Sequence, residues 1–343
     1  HFNPLCKRIV SSSITTSGGF LVHFNPLCKR IVSSSITTSG HRSEVTACGL
    51  KLSALIHIHE TSGIPLAHLQ ATFHFLYTKG TVACTADRMR GYHATGFSDR
   101  NTARIIRTTM DKLAEHLGSW LEYPVEIVDD VANAPKFLEP MFRSSVDTVP
   151  IVVLNWASWA DENYSGKYCQ NVVKLLTATT FTGFTCFLAP AVYTGRSHDQ
   201  VILDDSGYAK LLQERRRGAM GDCGFVTASN FLVPFQPAAI WPKLPKKRIA
   251  DAAWEKYVKE CDLKLQVNAK ICNNRDKSEH AYGRNAFGRF SAFKQWSHSL
   301  DFCFTAAKVA LAALNVELCT DHGYAGRYTP STGEEQFPQG SYD

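Results

Sequence analysis

The chain has 343 residues, 44% of them hydrophobic and 20% charged, with a formal net charge of +6. It is long enough for one large domain or two ordinary ones, with cores that fold without disulfide staples. No run approaches eighteen uninterrupted apolar residues, which argues against a membrane span; the longest, AAKVALAAL at 306–314, is broken by Lys308 and reads as a buried helix.

The first eighteen residues, HFNPLCKRIVSSSITTSG, recur letter for letter at 23–40. Residues 1–43 hold no Asp or Glu and carry Lys7, Arg8, Lys29, Arg30 and Arg42. A basic, Ser/Thr-rich leader of this kind suits an organelle import segment or a flexible polyanion-binding arm. Two perfect copies do not make a solenoid, which needs at least three diverged ones. Residues 1–43 are therefore set apart as a disordered leader.

In chain order, helices are expected at 45–60, at 64–78 behind Pro65, and at 99–117 with Asp99 as its cap. Strands are expected at 125–128 (VEIV) and 150–156 (PIVVLNW), then a short helix at 168–178. The alternating TTFTGFTCF at 179–187 and QVIL at 200–203 read as strands, and 207–217 as a helix. The proline-rich VPFQPAAIWPKLPKKR at 233–248 reads as an extended connector between a main body at 44–232 and a helical part at 249–322. In the latter, Asp251 caps one helix, and 299–318 is apolar nearly all round, as a central core helix is. The tail at 323–343 should be irregular. The expected class is α-rich α+β, two subdomains sharing one core.

Charge is unevenly placed. Residues 44–209 hold 13 basic and 17 acidic side chains, 210–296 hold 17 and 8, and 297–343 hold 2 and 6. Three clusters make the middle segment basic. These are Arg215, Arg216 and Arg217; Lys243, Lys246, Lys247 and Arg248; and Arg284, Arg289 and Lys294. The last is interleaved with Phe287, Phe290, Phe293 and Trp296. Cations neutralise phosphates and aromatic faces stack on unpaired bases, so the segment suits non-sequence-specific RNA contact. The bland alternative is an aromatic core with a solvated basic edge.

Eleven cysteines at irregular spacing, with no CxxC, read as reduced, mostly buried thiols of an intracellular, cytoplasmic protein. Neither GxGxxG nor GxxxxGK[ST] occurs, and no cofactor is expected. HIHE at 57–60 could bring His57 and His59 to a metal if the segment were a strand; on a helix the two diverge. MGDCGFV at 220–226 resembles the nucleophile turn of the chymotrypsin-like cysteine proteases of RNA viruses. That resemblance implies Cys223 as nucleophile with His93 or His116 as base. That family is a double β-barrel with a Gly-x-His beyond the nucleophile, where this chain has SNFLVPFQP.

In the general character of 44–320, the chain resembles the helix-rich coat proteins of partitivirus-like double-stranded RNA viruses. The resemblance implies a non-enzymatic capsid subunit, dimerising into a shell around RNA, with the basic segment inward. A cysteine hydrolase and a monomeric RNA-binding accessory protein are the competing expectations.

Overall fold

The computed structural model describes residues 46–93, 96–122, 142–154, 163–225, 230–241, 251–279 and 287–321. Within them the fold is helix-rich α+β, as the sequence indicates. The duplicated leader, the strand expected at 125–128 and the tail lie outside the described residues.

Four helices come first: α1 Leu52–Ser62, α2 Leu66–Tyr77, α3 Val82–Tyr92 and α4 Asp99–His116. Pro65 sits just ahead of α2, where a missing N–H costs nothing. The cap of α4 is Ser98, one residue before the expected Asp99. Its hydroxyl accepts from the Asn101 N–H at 3.3 Å, and Asp99 falls in the first turn, where its charge complements the helix dipole. Ile106, Met110 and Leu113 form the buried stripe of α4.

The sheet is mixed. Its long strands are β1 (Phe142–Val152) and β3 (Gln170–Thr180), paired antiparallel from Ser144↔Thr180 to Val152↔Val172. Three short strands, β2 (Tyr164–Ser165), β4 (Thr185–Leu188) and β5 (Tyr193–Thr194), also pair with β3. Beside β1, β6 (Gly218–Met220) runs parallel to it, and β7 (Phe231–Leu232) runs parallel to β6. The helix expected at 168–178 is thus a strand. β3 lies in the middle of the sheet and is buried on both faces, so its run VVKLL lacks the polar alternation of a half-exposed strand. Conversely, QVIL at 200–203 lies in α5 (Asp199–Ser206), with Ile202 and Leu203 buried and Val201 exposed. Together α5 and α6 (Tyr208–Glu214) form the crossover that brings the chain back to β6 parallel to β1.

A short helix α7 (Pro237–Ile240) lies within the stretch expected to be extended. The 29-residue α8 (Asp251–Glu279) follows, then α9 (Leu300–Asp321). By length and composition α9 could cross a membrane, but most of it is buried in this core, against α1, α2, α4 and β4. Asn315 ties it down. Its side chain donates to the Trp120 and Thr185 carbonyls, each at 2.7 Å, and accepts from the Thr185 N–H at 2.8 Å.

Candidate active site: aspartates of β1 and of the turn after β6

Asp147 stands in the middle of β1, and Asp222 stands two residues past the end of β6. Ser145 and Met220 are partners in the parallel β1–β6 register, so two residues further along each strand come Asp147 and Asp222. The β6–β7 ladder continues past Met220 through the Gly221 N–H to the Leu232 carbonyl at 3.1 Å, which holds this end of β6 in line. Gly218 lets β6 fit here. A Cβ on it would lie 2.7 Å from a Phe142 ring carbon and 2.8 Å from the Asn230 carbonyl oxygen.

Asp222 Oδ1 accepts the Gly224 N–H at 2.8 Å, a local turn that fixes the carboxylate. A third carboxylate comes from the first residue of α5. Asp199 Oδ2 and Asp222 Oδ1 lie 3.6 Å and 2.9 Å from the point a Gly224 Cβ would occupy. Asp199 Oδ1 receives the Thr148 hydroxyl at 3.0 Å and the Lys174 ammonium at 3.1 Å, and that ammonium also donates to the Ser197 carbonyl at 2.7 Å. Asp147 Oδ1 accepts the Thr148 N–H at 2.7 Å, while its Oδ2 lies 3.6 Å from Arg275 Nη2 on α8. Lys167, on the turn between β2 and β3, reports the shared field. Burial lowers its pKa, but Tyr168, Asp199, Asp222 and Asp147 outweigh this and raise it above the ordinary lysine value.

The residues singled out from the sequence fare differently. Cys223 is an exposed free thiol in the Asp222 turn, and among the described residues nothing hydrogen-bonds it. His116 ends α4, with Nε2 3.1 Å from the Thr61 hydroxyl, and His93 packs on Phe97. The nucleophile, base and orienter of a cysteine hydrolase are therefore not assembled.

His57 and His59 lie on α1, so they point to different sides; His57 meets Trp120 edge-on and His59 Nδ1 lies 2.7 Å from the Ile64 carbonyl oxygen. Arg215, Arg216 and Arg217 form the turn between α6 and β6, with Arg216 in the left-handed region. Lys294 is exposed. Lys243, Lys246, Lys247, Arg248 and Arg284 lie outside the described residues. Arg289 is not available to a phosphate. It is buried, 2.6 Å from Glu317 Oε1, whose other oxygen accepts the Lys51 N–H at 2.8 Å. Phe287, Phe290, Phe293 and Trp296 are buried, with ring centroids 4.6 Å apart for Phe287–Phe293 and 5.6 Å for Phe293–Trp296. They are core, not a stacking platform for bases. Of the cysteines, Cys48, Cys186, Cys261, Cys303 and Cys319 are buried, whereas Cys84, Cys169, Cys223 and Cys272 are exposed.

A family model for DDE superfamily endonucleases matches residues 147–314, a segment that begins at Asp147 itself. No curated protein and no solved structure matches the chain significantly. The endonuclease match overturns the coat-protein resemblance and with it the reading of a non-enzymatic shell subunit. It gives no support to a cysteine hydrolase either.

The letters DDE name two aspartates and a glutamate, oxygen donors of the kind that hold Mg²⁺ or Mn²⁺. Asp147 and Asp222, both half-buried, fit such an ion in donor chemistry. Among the described residues, no three His, Cys, Asp or Glu side chains gather at metal-binding distance.

Proposed function

We propose that the protein is a metal-dependent endonuclease of the DDE type, related to transposases and acting on DNA, with Asp147 and Asp222 as its two aspartates. The observation that carries this reading is the parallel β1–β6 register, whose last pair, Ser145–Met220, lies two residues before each aspartate, together with a family match that begins at Asp147.

When bound, a divalent ion supplies charge stabilisation for a phosphodiester and an activated water. The protein's own part is to fix the donors. Asp147 is held by Thr148 and Arg275, and Asp222 by the Gly224 N–H. Asp199 is committed to the Lys174 ammonium and the Thr148 hydroxyl, and so supports the site without being one of its two aspartates. Lys167 is an exposed cation within the field of the carboxylates, a charge that a phosphate could meet.

The test is cleavage of supercoiled plasmid DNA and of an RNA of matched length, with Mg²⁺ or Mn²⁺ and with chelator. Divalent-dependent nicking of the DNA, lost in Asp147→Asn and Asp222→Asn, is expected. Nicking that survives both changes, or chelation, contradicts the assignment, and cleavage confined to the RNA would correct the substrate.

A further inference from the structure

Arg275 is where the long helix meets the carboxylates. Its Nη2 lies 3.6 Å from Asp147 Oδ2, and the side chains of the pair are only 13% and 30% exposed. At that distance the contact is a charge–charge pairing more than a well-formed hydrogen bond. The other oxygen of Asp147 is already taken by the Thr148 N–H. Both oxygens are therefore engaged by groups of the protein itself.

Two neighbouring, partly buried carboxylates repel each other unless a positive charge stands between or beside them. The Lys174 ammonium cannot supply that charge to Asp147, because it is held by Asp199 and the Ser197 carbonyl. Arg275 can, and it arrives on a helix that other side chains anchor further upstream. Cys261 of α8 donates its thiol to the Ile240 carbonyl at 2.9 Å, Lys264 donates to the Ala239 carbonyl at 2.7 Å, and Asn268 brackets the Phe235 backbone with bonds of 2.7 and 2.9 Å. All three lie nearer the start of α8 than Arg275 does.

We infer that Arg275 is a positioning residue: it is the counter-ion of Asp147 in the metal-free protein, holds the end of α8 against β1, and competes with a divalent cation for that carboxylate. This rests on the carboxylate-site reading above. Without the guanidinium, Asp147 presents more of its negative charge to an incoming ion, while α8 loses one of its contacts with β1. Metal affinity and metal-free stability should then move in opposite directions.

The experiment uses the full chain, stripped of metal with chelator, as wild type, Arg275→Gln, Arg275→Lys and Asp147→Asn. Mn²⁺ is the probe, its free concentration followed by electron paramagnetic resonance and its effect on unfolding by a thermal shift. Arg275→Gln is expected to melt at a lower temperature than wild type without metal, yet to reach half-saturation at a several-fold lower Mn²⁺ concentration. Arg275→Lys should fall between the two, since it keeps the charge on a different reach. It carries the test alone if Arg275→Gln does not fold.

If Asp147→Asn abolishes Mn²⁺ binding while the Arg275 variants bind as wild type does, or more weakly, the competition is overturned and the endonuclease reading stands. If no variant binds Mn²⁺ at all, both are overturned.

Discussion

Asp147 on β1 and Asp222 just past the end of β6 each lie two residues beyond the Ser145–Met220 pair of the parallel β1–β6 register, although most of the sheet and two helices separate them in the chain. Everything proposed for this protein follows from that register. It is produced by the connection through α5 and α6 that returns β6 parallel to β1, and by Gly218, which admits β6 beside Phe142.

The turn after β6 is a sharp place to test the geometry. A Gly224→Ala change would put a Cβ 2.9 Å from Asp222 Oδ1, closer than ordinary contact allows. The carboxylate must shift, so Mn²⁺ binding should weaken, while stability falls by only about 1–3 kcal/mol, the usual cost of overpacking. Calorimetric titration and urea unfolding on one sample separate the two. Unchanged binding would show that Asp222 does not need this turn.

The thiol next door gives the opposite expectation. Cys223→Ala should leave cleavage and stability near wild type, because the exposed thiol has no hydrogen-bond partner among the described residues. Loss of activity in this variant, with Mn²⁺ binding intact, would return attention to thiol chemistry.

Away from the site, Arg289 and Glu317 are paired in the core, each only 9% exposed, and Glu317 also receives the Lys51 N–H. Glu317→Ala leaves a buried guanidinium without its carboxylate and should destabilise the fold by about 3–5 kcal/mol. Chemical denaturation would measure it. A loss near zero would mean that water reaches Arg289 once Glu317 is gone.

His74 sets a pH dependence. Burial, and secondarily the charge of Arg88, lowers its pKa from 6.5 to about 4 in the fold. The unfolded chain thus binds a proton before the native one does, and stability should be full above pH 6.5 and fall as pH drops toward 4. His57, His68 and His116 are lowered too, each first by burial, and add to the same slope. In His74→Gln the melting temperature should decline less between pH 7 and 5 than in wild type; parallel curves would remove His74 from the account.

The helical half of this fold could be read from the sequence because its signals are local. Pro65 marks the start of α2, and the stripe of Ile106, Met110 and Leu113 marks α4. The sheet was less legible for physical reasons. Gln170–Thr180 is buried nearly throughout, so its apolar residues show no period of two and pass for a helix. β6 is three residues long and shows no period at all.

The carboxylate site was less legible again. Asp147 sits among polar and apolar residues with no motif around it, and only pairing across the sheet brings it to Asp222. The GDCG stretch did draw notice in the sequence, but for its cysteine. The aspartate beside it lies two residues beyond the last β1–β6 pair, as Asp147 does on the other strand. The aromatic-basic segment at 282–296 misled in another way. Regular spacing of Phe and Trp is what a core needs as much as what a base-binding surface needs, and Phe287, Phe290, Phe293 and Trp296 went to the core.

The most direct measurement is a double-mutant comparison of metal-dependent DNA nicking with Asp147→Asn, Asp222→Asn and the two combined. If the aspartates hold the same ions, each single change costs more than the roughly 10–100-fold typical of an outer-shell partner, and the second adds little to the first. Losses that multiply, or a single variant that still cleaves at the wild-type rate, would contradict a shared site.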